Sequence, residues 1–154
     1  MILNLDKQPR EALAAIDAAG NQLTYGELCY ISKMLEAAMP FRSLLFLLTE
    51  NNVGGIAWSI GCMGAKQVPL ILNVHTEEGL FNNLMEIYRP PYLCVPVGSP
   101  LAEQYEAVKE CYGYVLLKTG NEPCPIHEEL SHLLPTSGST GSPKLVRHKY
   151  ENIE

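Results

Sequence analysis

The 154-residue sequence is short of basic side chains: 11 Lys and Arg stand against 17 Asp and Glu, for a formal net charge of −6. A general nucleic-acid binder needs a basic face that replaces counterions, so that class is excluded as a main function. Long hydrophobic runs are missing too. The uncharged stretch from Val53 to Ala65 falls well short of the roughly 18 apolar residues that cross a bilayer, and it reads as a buried helix, so no membrane partner is expected. There is no cationic leader with an apolar stretch and a small-residue cleavage site, which speaks for a cytoplasmic protein. Cysteine occurs at 29, 62, 94, 111 and 124, an odd set with no Cys-x-x-Cys pair. Such a set reads as reduced thiols used as small apolar fillers. Cys124, His127 and His132 match no zinc spacing, so no metal site of side chains is expected. Internal repeats are absent.

With 47% hydrophobic and 18% charged residues, the chain is that of an ordinary globular protein, one domain at most. Leu23-Thr24-Tyr25-Gly26-Glu27-Leu28 is a helix start: the Thr24 hydroxyl caps, Glu27 reaches back, and Leu23 staples onto Leu28. Leu28, Ile31, Leu35 and Ala38 share one face of that helix, which must end before Pro40. Leu44 to Thr49 is a buried strand, and the Gly/Ala-rich helix that follows presents small residues to an adjacent sheet. Val68 to Leu72 is the next strand, weakened at Pro69. Thr76 caps a helix that runs through Ile87 and stops at Pro90-Pro91, and Tyr92 to Val97 is a strand. Ser99-Pro100 reads as the start of another helix, with Leu101, Tyr105 and Val108 on one face and Gly113 as its stop. Tyr114 to Lys118, His132 to Thr136 and Lys144 to Lys149 complete the strands. Trp58, Tyr88 and Tyr105 lie at helical spacing with aliphatic residues and belong to the core. Alternation of helix and strand throughout means an α/β fold with a mainly parallel sheet.

The chemistry gathers in Leu133-Leu134-Pro135-Thr136-Ser137-Gly138-Ser139-Thr140-Gly141-Ser142-Pro143-Lys144. Gly138 and Gly141 let successive amides turn into one concavity, the hydroxyls of Thr136, Ser137, Ser139 and Thr140 add donors, and Lys144 adds a compact positive charge. Such a loop suits phosphate. A plain Ser/Gly linker would lack the apolar lead-in, the rigid Pro143 and the lysine after it. The common nucleotide P-loop fails on spacing, because Pro143-Lys144-Leu145 stands where Gly-Lys-Ser/Thr would be needed.

Thr136-Ser-Gly-Ser-Thr-Gly-Ser-Pro-Lys144-x-Val146, followed by Tyr150 and Asn152, resembles the phosphate-binding signature of the AMP-forming, acyl-adenylate-forming ligases. That superfamily includes acyl-CoA synthetases and the adenylation domains of peptide synthetases. The sequence departs from the common form at Leu145, where glycine is usual, and at Tyr150, where histidine is common. The resemblance implies ATP-dependent activation of a small-molecule carboxylic acid, with Mg2+ on the phosphates and coenzyme A or phosphopantetheine as the thiol acceptor. It implies that Thr136, Ser137, Gly138, Ser139, Thr140, Gly141 and Lys144 bind the nucleotide, with Lys144 also stabilising charge during the reaction. It further implies that residues 1–154 are the incomplete N-terminal part of the ligase large domain, inactive alone and able to self-associate through uncovered sheet edges. A stand-alone nucleotide- or polyanion-binding module without catalysis is the alternative.

Overall fold

A computed structural model describes residues 1–136 and 144–153. A short 3-10 segment, Ile2–Lys7, is followed by a small two-stranded antiparallel sheet, β1 (Leu13–Ile16) with β2 (Gln22–Thr24). It delivers Leu23, fully buried, to the start of α1 (Tyr25–Ala38). Here the capping box reads as the sequence has it. The Thr24 amide donates to Glu27 Oε2 at 2.7 Å, and the Glu27 amide donates to Thr24 Oγ1 at 3.3 Å, so two of the helix's orphan donors are satisfied reciprocally.

The main sheet is built from β3 (Leu44–Thr49), β4 (Val68–Asn73), β5 (Tyr92–Pro96), β6 (Glu106–Cys111), β7 (Tyr114–Lys118), β8 (Leu130–Pro135) and β9 (Leu145–Lys149). Their order is β6-β7-β5-β3-β4-β8-β9. The four central strands, β5, β3, β4 and β8, are parallel, and antiparallel strands flank them at both ends, so the sheet is mixed. α1 and α2 (Val53–Gly64) lie on one face, over Leu45, Leu47, Cys94 and Leu116. α3 (Glu78–Tyr88) lies on the other, over Phe46, Leu70, Leu93 and Leu133. Two cores result, as expected when parallel strands must be covered on both sides.

Three local expectations are corrected. The helix expected after Ser99 is a single 3-10 turn, Pro100–Glu103, followed by β6. Tyr112 and Gly113 both adopt positive φ, 52° and 77°, which makes the two-residue turn of a hairpin rather than a helix stop, and the chain pairs Cys111 with Tyr114. Thr76 does not cap α3: its hydroxyl donates to the Asn73 carbonyl at 2.6 Å, and Glu77 occupies the cap position. The small residues of α2 face α1 and the β6–β7 turn as well as the sheet. A Cβ on Gly61 would stand 2.8 Å from Ile31, one on Gly64 would meet Ser32, and one on Gly54 would meet Tyr112 and Tyr114. Gly61 and Gly64 therefore serve the approach of α2 to α1, and Gly54 its approach to the β6–β7 turn.

Cys29, Cys62 and Cys94 are buried fillers, and burial pushes the Cys62 and Cys94 thiols well up; Cys124 is exposed. No helix among the described residues is long and apolar enough to cross a membrane.

One buried polar residue ties the elements together. Gln67, 3% exposed, accepts from the Ser43 amide at 2.8 Å and donates to the carbonyls of Met39 at 3.2 Å and Ala65 at 3.4 Å. Gln67→Leu keeps the volume and orphans these groups, so the expected loss is about 2–3 kcal/mol in urea unfolding. An unchanged midpoint would show that water or a shifted backbone satisfies them.

Candidate phosphate-binding site

Parallel strands β3, β4, β5 and β8 end on one edge of the sheet, at Thr49, Asn73, Pro96 and Pro135. Ligands in open α/β sheets sit at this carboxyl edge. β8 ends there at Pro135, and the chain pairs back antiparallel as β9 from Leu145. Pairs Pro135↔Leu145, Leu134↔Val146, Leu133↔Arg147 and His132↔His148 run back from the edge.

Of the residues read from sequence, the structure brings Thr136 and Lys144 together. The Thr136 amide donates to the Lys144 carbonyl at 3.0 Å, and the Thr136 hydroxyl donates to the same oxygen, also at 3.0 Å. That doubly bonded neck holds the two ends of the loop one strand spacing apart. The hydroxyl of Thr136 is engaged with the backbone here, so toward a ligand it offers its lone pairs unless it turns. Lys144 is exposed and forms no ion pair among the described residues. Ser137, Gly138, Ser139, Thr140 and Gly141 lie outside the described residues.

Below the neck, on the α3 side, a cleft of about 840 Å³ is lined by Tyr88, Ile126, Leu130, Leu133, Lys144 and Arg147, among others. Its far end is closed by Lys149, whose ammonium meets Glu129 at 2.9 Å and Glu151 at 3.8 Å. The hydrogen bond from Lys149 holds the Glu129 carboxyl below its usual range and the Lys149 ammonium above its own. Arg42 fastens the segment before β8 from beneath, donating to the carbonyls of Lys66, His127 and Leu130.

A second cleft, of about 550 Å³, opens at the carboxyl end of β3 beside Asp17, Thr49, Glu50, Asn52 and Ser59. Sequence reading passed over it, because its parts are far apart in the chain. Asp17 accepts from the amide of Val53, the first residue of α2, at 3.2 Å, from the amides of Ala19 and Asn21, and from the Asn21 side chain at 3.0 Å, and this side-chain bond is the main reason its carboxyl lies below the usual range. Asn52 caps Gly55 at 2.8 Å and also accepts from the Tyr114 hydroxyl at 3.0 Å. With a carboxylate already seated at the helix N-terminus, this cleft is poorly suited to phosphate. Among the described residues, no three His, Cys, Asp or Glu side chains gather as metal ligands.

No protein-family model and no curated protein matches the chain. Solved structures do. O-succinylbenzoate coenzyme A synthetase (MenE) from Bacillus subtilis, in complex with AMP, superposes with TM-score 0.68 at 19% identity over 97% of this chain and 42% of that one. Apo MatB from Rhodopseudomonas palustris gives 0.68 at 18% identity over 99% of this chain and 36% of that one. The N-terminal subdomain of Klebsiella oxytoca NpsA gives 0.61 at 21% identity over 95% of this chain and 40% of that one. The chain has the fold of the N-terminal part of the adenylate-forming ligases, and it spans under half the length of these structures.

Proposed function

We propose that this chain forms the phosphate-holding part of an AMP-forming carboxylate ligase. In that reaction a carboxylate attacks the α-phosphate of ATP, the α–β phosphoanhydride bond breaks, and pyrophosphate leaves as the acyl-adenylate forms. The acyl group then passes to the thiol of coenzyme A or phosphopantetheine, with release of AMP. The observation that carries the reading is the neck at the carboxyl edge of β8, where Thr136 grips the Lys144 carbonyl and so returns Lys144 to the same edge.

Lys144 would place its charge on the β- and γ-phosphates and hold the pyrophosphate as charge gathers on it. Ser137, Gly138, Ser139, Thr140 and Gly141 join this proposal on their sequence alone. Magnesium, when bound, supplies further positive charge on the phosphate oxygens; Thr136 and Lys144 fit a metal held by the phosphates rather than by a side-chain cage. The fold, shared with MenE solved in complex with AMP, supports the nucleotide class.

A ligase loop that holds the β- and γ-phosphates takes pyrophosphate in competition with MgATP and takes AMP poorly. Displacement titrations on the 154-residue chain are expected to rank the ligands in that order, and AMP bound as tightly as ATP would contradict the reading. The chain alone is expected to give no carboxylate-dependent exchange of labelled pyrophosphate into ATP. Exchange that disappears in Lys144→Ala would mean that these residues hold a whole adenylation site.

One observation favours the second reading, a stand-alone nucleotide- or polyanion-binding module. Both sheet edges carry charge, Glu106, Lys109 and Glu110 on β6 and Arg147 and Lys149 on β9, and charge on an edge strand discourages pairing with other chains. A module predicts a monomer in sedimentation at tens of micromolar. A ligase part with open faces predicts self-association.

A further inference from the structure

His132 on β8 and His148 on β9 are a cross-strand pair, four positions in from the neck on either strand. Their rings stack with centroids 4.5 Å apart and planes within 5° of parallel. His132 is 9% exposed, and His148 is half-buried. Ser131, fully buried, completes the arrangement: its hydroxyl donates to the His148 carbonyl at 2.9 Å and lies 3.0 Å from His132 Nδ1. A serine has one proton, and it is used on that carbonyl. The tautomer that satisfies both contacts has His132 Nδ1 donating to Ser131, with Nε2 as the basic nitrogen of a neutral ring.

Two neutral imidazoles stack well; two imidazolium ions at this separation repel. The charged groups on neighbouring elements do not offset that. Lys149, Glu129 and Glu151 satisfy one another at the end of the hairpin, Lys66 sits 4.0 Å over the Tyr150 ring, and Arg42 is bonded to backbone carbonyls. Burial, and then His148, hold the His132 imidazole below its ordinary range.

We propose that the His132–His148 stack is a pH-operated clasp on the hairpin that carries the phosphate site: neutral rings keep β8 and β9 paired beneath the neck, and protonation loosens them. The proposal rests on the phosphate-loop reading for its effect on ligand, but not for its effect on the strands. The sign follows from proton linkage. The unfolded ring takes up a proton more readily than the folded one, so the clasp's contribution is complete above the ordinary histidine range, about pH 6.5, and is lost as pH falls below it.

Two measurements test it. In wild-type protein, NMR titration of the ring protons is expected to show His132 titrating below the ordinary histidine value, with the amides of Thr136 and Lys144 moving at the same midpoint. An ordinary midpoint, or neck amides that do not follow the ring, would overturn the clasp. MgATP affinity is then compared between about pH 7.5 and about pH 5.5 in wild type and in His132→Leu/His148→Leu, so that the ligand's own ionisation cancels. Wild type is expected to lose about tenfold more affinity on acidification than the double variant. An equal loss in both would overturn the clasp's control of the site. Coincident ring and amide titrations in protein that binds no MgATP would retain the clasp and count against the phosphate reading, which keeps the two failures apart.

Discussion

Trp58→Ala is expected to lower stability by about 3–5 kcal/mol, the largest effect of any single truncation in the α1/α2 core. Trp58 is fully buried in α2, packed in a cluster with Leu28, Leu35, Leu45 and Tyr114, and its indole N–H donates to the Cys111 carbonyl at 3.0 Å. Truncation removes the packing and takes a donor from that carbonyl at the end of β6, in the hairpin whose second strand, β7, joins the parallel strands. Trp58→Phe restores most of the volume but not the donor, so it is expected to recover most, and not all, of the loss. Urea unfolding followed by far-ultraviolet circular dichroism avoids dependence on the tryptophan signal itself. A loss under about 1 kcal/mol for the alanine variant would mean that α2 is not fixed against β6 and β7 in this way.

Gly54→Ala is the second large effect, and it reaches the same junction by overpacking. A Cβ at this position would fall against the Tyr112 carbonyl and 2.7 Å from the Tyr114 ring. Neither neighbour is the free end of a flexible side chain. The Tyr114 hydroxyl donates to Asn52 at 3.0 Å and accepts from the Glu50 amide at 3.0 Å, and Tyr112 sits in the hairpin turn with φ of 52°. Alanine is ordinarily the better helix former by up to about 1 kcal/mol, yet here the clash should dominate, with a net loss of about 3 kcal/mol. A stabilised Gly54→Ala would show that α2 stands further from the turn.

Both effects belong to a region that was only partly legible in the sequence. The glycines of α2 announce a close approach, but periodicity alone does not say to what, and α1 and the β6–β7 turn share that role with the sheet. β6 itself was hidden. Glu106 to Cys111 has no buried face, and at an exposed edge neither alternation nor an apolar run distinguishes strand from helix. Gly113 was the available signal, since glycine suits the second position of a two-residue hairpin turn. By contrast, Leu44–Thr49 and the capping box of α1 could be read from sequence because burial on both faces and reciprocal side-chain bonds are local in their cause.

The candidate site divides in the same way. Its chemistry is proposed from consecutive residues, Thr136 to Lys144, and the structure adds that these two meet at the end of the β8–β9 pair. The His132–His148 stack was not, because cross-strand partners depend on register, and a bulge between Leu130 and His132 shifts that register. Asp17 at the start of α2 was missed for a related reason: it lies 36 residues from the amide it accepts.

The measurement that bears most directly on the account is an NMR titration of the chain with MgATP, in wild type and in Lys144→Ala. The account predicts saturable shifts at the amides of Thr136 and Lys144 in wild type. It also predicts an affinity loss of at least about tenfold in the variant, the effect of removing one charge-assisted contact to phosphate. Equal affinity in the two proteins, or shifts confined to Asp17, Asn52 and their neighbours at the end of β3, would contradict it and move the nucleotide to the other cleft.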